Sequence, residues 1–312
     1  MTISNRITFE QLIGCKYPIA IMAMNRVSDV KLAVAGANAG VLPSLSVFNY
    51  YTAPNVCSLT KLNAALNEFN TITNNAPLLL SVSVDSIIDN ELFNCILSNN
   101  IKVIELIFDD PNEIKSTAER KAKVWNRLSE LKQAGSLIFT KSLGLNDFDH
   151  AAGGNIDGII LKGPLAAGRV TDGLDLLESI AVIKSTHPDL HVIASGGIGN
   201  AAQIQECINA GAIGVGLGTI FAAASESSIS TESKLKMVAA TAVDIAKLKG
   251  GAKQNALIFD ELPVDNYNNT HGLIAGTKNP NHGHIFAGSS IRYITEIATV
   301  EEIVKNLTTD LY

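Results

Sequence analysis

Two glycine-rich stretches, Ala194-Ser195-Gly196-Gly197-Ile198-Gly199 and Gly216-Leu217-Gly218-Thr219, are the segments of this chain best suited to hold an oxyanion. Glycine lacks a Cβ, so main-chain N–H groups can approach a phosphate closely, and a helix that starts beside them adds the positive end of its dipole. One glycine pair could serve only a tight turn. Two such stretches, each following an apolar run, point to phosphate. Lys141 and Lys162 also end apolar runs. A desolvated lysine there could attack a carbonyl, the chemistry of a Schiff-base aldolase on a phosphorylated substrate, or it could be a phosphate or surface contact. His282 and His284 have the spacing of a weak metal pair. Without a third ligand of settled position they read as exposed loop histidines, and no metal is expected. His150, His187, His191 and His271 form no constellation.

The elements that must position these groups alternate. Apolar runs at 18–24, 41–47, 78–84, 101–108, 136–140, 156–161, 191–195 and 212–217 read as buried strands. Helices are expected between them, one capped by Ser28-Asp29 and ending at Asn38-Ala39-Gly40, others begun by Ser58 and Asp89. Further helices are expected over 116–134, near 147–152, over 172–184, from Asn200 to Gly211, and from Thr219. Strands without polar alternation imply a parallel sheet covered on its outer face, and eight strand–helix units imply a closed (β/α)8 TIM barrel, an α/β fold. We expect a single domain over residues 1–312, with the barrel over about 15–224 and a C-terminal extension over 225–312. In that extension the spacing predicts a helix over 231–248, a long loop over 260–288, and a last helix with Val300, Ile303, Val304 and Leu307 on one face. In such barrels phosphate is often held after strands seven and eight, where the two glycine stretches fall.

Composition removes several classes. With 46% hydrophobic and 17% charged residues the chain can bury a large core. A net charge of -6 with no lysine–arginine cluster leaves nothing to neutralise a nucleic acid backbone. Cys15, Cys57, Cys95 and Cys207 are widely spaced and form no metal or redox motif. The first residues lack an apolar signal core, and no run approaches a membrane span, so a cytoplasmic protein without a membrane partner is expected. Oligomeric state is open, a homo-oligomer included.

Taken together, Ala194-Ser195-Gly196-Gly197-Ile198, Asn209-Ala210-Gly211-Ala212, Gly218-Thr219-Ile220-Phe221 and Glu226-Ser227 resemble the C-terminal barrel signature of the nitronate monooxygenase (2-nitropropane dioxygenase) family. That family includes flavin-dependent quinone reductases and enoyl-acyl-carrier-protein reductase II. Tyr17-Pro18-Ile19, Ala23-Met24, Leu32-Ala33 and Asn38-Ala39-Gly40 match its opening strand and helix in order and spacing, and 288–307 resembles its tail. The resemblance implies a flavoprotein monooxygenase holding FMN across the barrel mouth. Its phosphate would lie on Gly196, Gly197, Gly218 and Thr219, beside Ser195, with Ala23 and Met24 against the isoalloxazine ring. Ala167 and Gly168 fall in the matching loop after strand six, and Ser81 matches, more loosely, a polar position on strand three. By residue type alone Met24 could be simple core.

One departure bears on the chemistry. Relatives commonly read Glu-Gly, two variable positions, then Ala-Gly-Gly-His; this chain reads Lys162-Gly163-Pro164-Leu165-Ala166-Ala167-Gly168-Arg169. Arg169 stands in the histidine's place, and a guanidinium cannot serve as a general base. It could orient an anionic nitronate through its two oxygens, or be a solvent-facing loop residue. A neutral nitroalkane is then expected to be a poor substrate, and an alkyl nitronate is expected to be oxidised with oxygen. The alternatives are a reductase fed by NADH or NADPH, the aldolase above, and a flavin-binding protein without catalysis.

Overall fold

The computed structural model describes residues 7–53, 56–108, 118–145, 156–248, 253–259, 277, 283–309 and 311. The expected helix near 147–152, His150, His271, His282 and most of the 260–288 loop lie outside them.

Eight parallel strands form the central sheet: β1 (Ile19–Ile21), β2 (Ser44–Ser46), β3 (Leu79–Ser83), β4 (Val103–Ile107), β5 (Leu137–Ser142), β6 (Gly158–Lys162), β7 (His191–Ser195) and β8 (Gly214–Leu217). Their order around the sheet is β1-β8-β7-β6-β5-β4-β3-β2. An additional bridge between Ala20 and Leu42 joins the first and second runs and closes the barrel. Leu79, Val103, Phe139, Ile160 and Ile193 fill its lower interior, closed from below by Phe9 and Ile13 of α1 (Phe9–Ile13). This interior is tight. A Cβ on Gly158 would stand 2.5 Å from both the His191 carbonyl oxygen and Phe139 Cε1.

The outer layer follows the caps expected from sequence. Asp29 caps α2 (Val30–Asn38), Asp89 caps α4 (Asn90–Ser98), and Asn200 caps α7 (Ala201–Ala210), each through its side-chain oxygen. Between them lie α3 (Leu59–Thr73), α5 (Ala118–Gln133) and α6 (Leu176–Thr186), with α8 (Thr219–Ala222) after β8. Each sets an apolar face on the sheet, Leu62, Leu66 and Phe69 of α3 being fully buried there.

The extension departs from expectation. The helix expected over 231–248 stops early: α9 covers Thr231–Ala239, a capping box between Thr241 and Asp244 starts a single turn, and Ile245–Leu248 is strand β9. Here the cap and a cross-strand partner outweigh helical spacing. β9 pairs antiparallel with β10 (Gln254–Ile258), and β10 pairs with β11 (His284–Phe286), which lies inside the segment expected to be loop. Gly168–Arg169 pairs antiparallel with the start of β10, at Asn255 and Gln254. The last helix forms as expected: α10 (Val300–Thr308) buries Val300, Ile303, Val304 and Leu307. Glu226 accepts the Val300 N–H at 3.1 Å, which ties α10 to the end of the barrel.

Gly158→Ala should lower the unfolding free energy by about 2–3 kcal/mol, since the new methyl meets backbone as well as a ring. Gly135→Ala, where a Cβ would meet nothing within 4 Å and only a φ of +96° opposes it, should cost about 1 kcal/mol. Urea unfolding measures both, and equal losses would contradict the tight interior.

Candidate functional site

The chain leaves β7 through Gly196 and Gly197, both in the left-handed region at φ +115° and +78°. Their missing side chains let the loop after β6 approach closely. A Cβ on Gly196 would stand 2.8 Å from Ala166 Cβ, and one on Gly197 would stand 2.9 Å from both Leu165 Cβ and Ser289 Oγ. The extension holds that loop in place. Asn255 of β10 donates from Nδ2 to the Pro164 and Ala166 carbonyls at 3.1 and 2.7 Å. The Ser289 N–H reaches the Leu165 carbonyl at 3.0 Å, and the Val170 N–H reaches Lys253 O at 2.8 Å.

Thr219 Oγ1 accepts the Gly288 N–H at 3.0 Å, so the loop after β8 is joined to the same segment, and the hydroxyl hydrogen is still free to donate. Ser289 Oγ is buried and has no hydrogen-bond partner among the described residues. A buried hydroxyl lying against Gly197, with the Gly218–Thr219 turn beside it, can hold a phosphate through donors from three segments. Because α8 has only four residues, its dipole adds little and the donors themselves must do the work.

Ala23 and Met24 follow β1 at the mouth, both partly exposed. A Cβ on Gly218 would meet the Met24 thioether at 3.6 Å and nothing else, so the thioether and the β8 turn face each other. Ser28 Oγ accepts the Met24 N–H at 2.9 Å, and Asn49 donates to the Ser28 carbonyl at 2.7 Å while accepting the Arg26 N–H at 2.7 Å. These bonds hold the loop after β1 in one shape, with Arg26 at φ +64°.

The upper barrel interior is polar. Register sets Ser46 beside Ser81, Ser81 beside Glu105, Lys162 beside Ser195, and Ser195 beside Gly216. Glu105 is fully buried and paired with Lys141 Nζ at 2.7 Å. The hydroxyls of Ser44 and Ser81 are buried with no partner among the described residues. Lys162 is partly exposed as a residue while its amine is enclosed, and no carboxylate stands within 4 Å of it among the described residues. Burial, then repulsion from Lys141, push its amine down to about 7 against the opposing pull of Glu105, with Arg169 adding to the repulsion.

The residues expected from sequence therefore divide. Ala167, Gly168, Ser195, Gly196, Gly197, Gly218, Thr219 and Met24 gather at one side of the mouth, with Ala23 beside them. Ser81 lies across the barrel, in the polar interior next to Glu105. Arg169 is exposed where Gly168–Arg169 pairs with β10, and its charge reaches Lys162. His284 corrects the sequence reading: it is 1% exposed on β11 and packs against Phe286, so it is no loop histidine. Sequence reasoning missed Ser289, Asn255 and Glu105. The first two lie far along the chain from the loops they meet, and Glu105 sits inside an apolar run. Among the described residues no His, Cys, Asp and Glu group could hold a metal, and no helix is long and apolar enough to cross a membrane. Burial pushes the Cys15 and Cys207 thiols up to about 12, so neither is a nucleophile.

Known proteins resemble this chain in sequence and in fold. The family model described as nitronate monooxygenase matches residues 7–310. The (3aS,4S,5R,7aS)-5-hydroxy-7a-methyl-1-oxo-octahydro-1H-indene-4-carboxyl-CoA dehydrogenase of Rhodococcus jostii (strain RHA1) is 21% identical over 277 residues, 88% of this chain and 72% of that protein. The structure of FabK from Thermotoga maritima superposes with a TM-score of 0.79 at 19% identity, covering 97% of this chain and 94% of that one. The nitroalkane oxidase of Streptomyces ansochromogenes gives 0.75 at 18% identity and covers 97% of each chain. At such identities the two structures speak for the barrel alone, whereas the family match spans nearly the whole sequence. This chain belongs to the nitronate monooxygenase family of flavin-dependent oxidoreductases.

Proposed function

We propose that the chain binds FMN at the barrel mouth and oxidises small alkyl nitronates with oxygen. The observation that carries this reading is the buried Ser289 hydroxyl, without a partner among the described residues, against Gly197. Ser289, Thr219 and the peptide nitrogens of Gly196, Gly197 and Gly218 would hold the phosphate, with Ala167, Gly168 and Ser195 lining the same side. Ala23 and Met24 would lie against the ring, and Ser81 would face it from across the barrel. When bound, the flavin supplies the electron acceptor and the site of oxygen chemistry.

The residues of this chain bind and orient. Arg169 presents a fixed positive fork that suits the two oxygens of a nitronate, and the exposed edge on which it stands is open to solvent. Lys141 is paired with the carboxylate of Glu105, so a proton taken up by Lys162 leaves net positive charge that suits an anion above it. A second reading, hydride transfer between a nicotinamide and an acyl thioester, is favoured by the name of the Rhodococcus dehydrogenase. Rapid bleaching of the flavin by NADH or NADPH without oxygen would select it. Borohydride trapping of a lysine adduct would select the aldolase, and flavin absorbance with no turnover of any of these substrates would select a non-catalytic binder.

Purified protein should be yellow and should release FMN on heating; a colourless preparation that takes up no added FMN would overturn the proposal. Ser289→Ala should weaken FMN binding about tenfold, the loss of one hydrogen bond to a charged acceptor, as read by fluorescence titration. In oxygen-uptake assays near pH 6, Arg169→Met should raise KM for propyl-2-nitronate about tenfold or more. An unchanged KM would remove Arg169 from the site.

A further inference from the structure

We propose that the Lys162 amine is the proton acceptor of this site, removing the α-proton of a neutral carbon acid, of which a primary nitroalkane is the simplest, held at the barrel mouth. This gives the chain an ionisation activity that precedes oxidation, and it rests on the reading of the mouth as the place where nitronates are oxidised.

The argument begins with what surrounds the nitrogen. Lys162 ends β6 in register with Ser195 of β7, which is uncharged. From β4 and β5 it faces Glu105 and Lys141, and those two are already paired with each other at 2.7 Å. From the Gly168–Arg169 segment it faces one further cation, Arg169. Gly168 runs close past the amine: a Cβ there would stand 3.8 Å from Lys162 Nζ and 3.6 Å from Cγ of Phe286, whose ring carries no charge. Among the described residues the amine is therefore enclosed, flanked by two cations and without a carboxylate within 4 Å, at the end of a strand and on a residue that is partly exposed.

Those surroundings keep much of Lys162 as the free amine near neutral pH, where an ordinary lysine is almost wholly protonated. A free amine carries a lone pair. In the proposed step the Cα–H bond breaks, the proton joins the Lys162 nitrogen, and the electron pair stays with the carbon acid, spread over the two nitro oxygens. Nothing is oxidised. The product is an anion formed beside a newly charged ammonium, with Arg169 on the rim above it. The chain thus carries at β6 the proton-accepting function that the guanidinium of Arg169 cannot provide.

The step is measured without redox turnover, as deuterium wash-in at the α-carbon of nitroethane, followed by proton NMR in anaerobic D2O with the holoenzyme. Exchange above the buffer rate should rise with pH through a midpoint near 7 and then level. Lys162→Met should lower it at least a hundredfold. Lys141→Met, which removes repulsion, should move the midpoint up, and Glu105→Gln should move it down. In the wild-type protein, acetylation of Lys162 read by peptide mass spectrometry should show the same midpoint, a readout that needs no variant to fold. Exchange unaffected by Lys162→Met, or an acetylation midpoint at the ordinary lysine value of about 10.4, would overturn the proposal. Lys162-dependent exchange in a protein that oxidises no nitronate would leave Lys162 as the base and remove the oxidase reading. Nitronate oxidation without Lys162-dependent exchange would do the reverse.

Discussion

The structure depends on one close approach, that of the backbone after β6 to the backbone after β7. Gly196 and Gly197 permit it, Asn255 and Ser289 fasten it, and everything proposed for the mouth is built on its surface. Side chains at those two glycines would meet Ala166, Leu165 and Ser289 within 3 Å, so the loop could not settle and Arg169 and Gly168 would lose their place. The glycines thus serve two ends. They admit a neighbouring loop from one direction, and the proposed anion would meet their peptide nitrogens from another.

Below that contact the barrel interior changes character. Its lower part is packed by Phe139, Leu79, Val103 and Ile193, as a TIM barrel requires for stability. Its upper part holds one carboxylate, two amines and several serines. A buried ion pair costs desolvation that its attraction only partly returns, so Glu105 and Lys141 are poor candidates for mere stabilisation. Their effect falls on Lys162: burial first lowers the affinity of its amine for a proton, Lys141 lowers it further, and Glu105 opposes both. Two neighbouring strands, β4 and β5, thus act on the amine at the end of β6.

Much of the barrel was legible because parallel strands are buried on both faces and read as apolar runs, while Asp29, Asp89 and Asn200 mark helix starts. The glycine turns were legible by position alone, being the stretches after the last two strands. What escaped notice was set by pairing at long range. Ile245–Leu248 has spacing compatible with a helix, and only its partner β10 makes it a strand. Ser289 lies 92 residues after Gly197, and no local pattern connects them. Lys141 and Lys162 are visible as strand ends, but Glu105 is not, and only the pairing of three adjacent strands brings it onto the face they share.

The order in which the site becomes complete follows from the fastening of the β6 loop. All eight barrel strands have been synthesised once Leu217 leaves the ribosome, yet two of the groups that hold the mouth, Asn255 and Ser289, come later in the chain. A nascent barrel could thus reach its architecture while its binding loops are still untethered. A flavin held by those loops would then be captured late, with the tail as the latch.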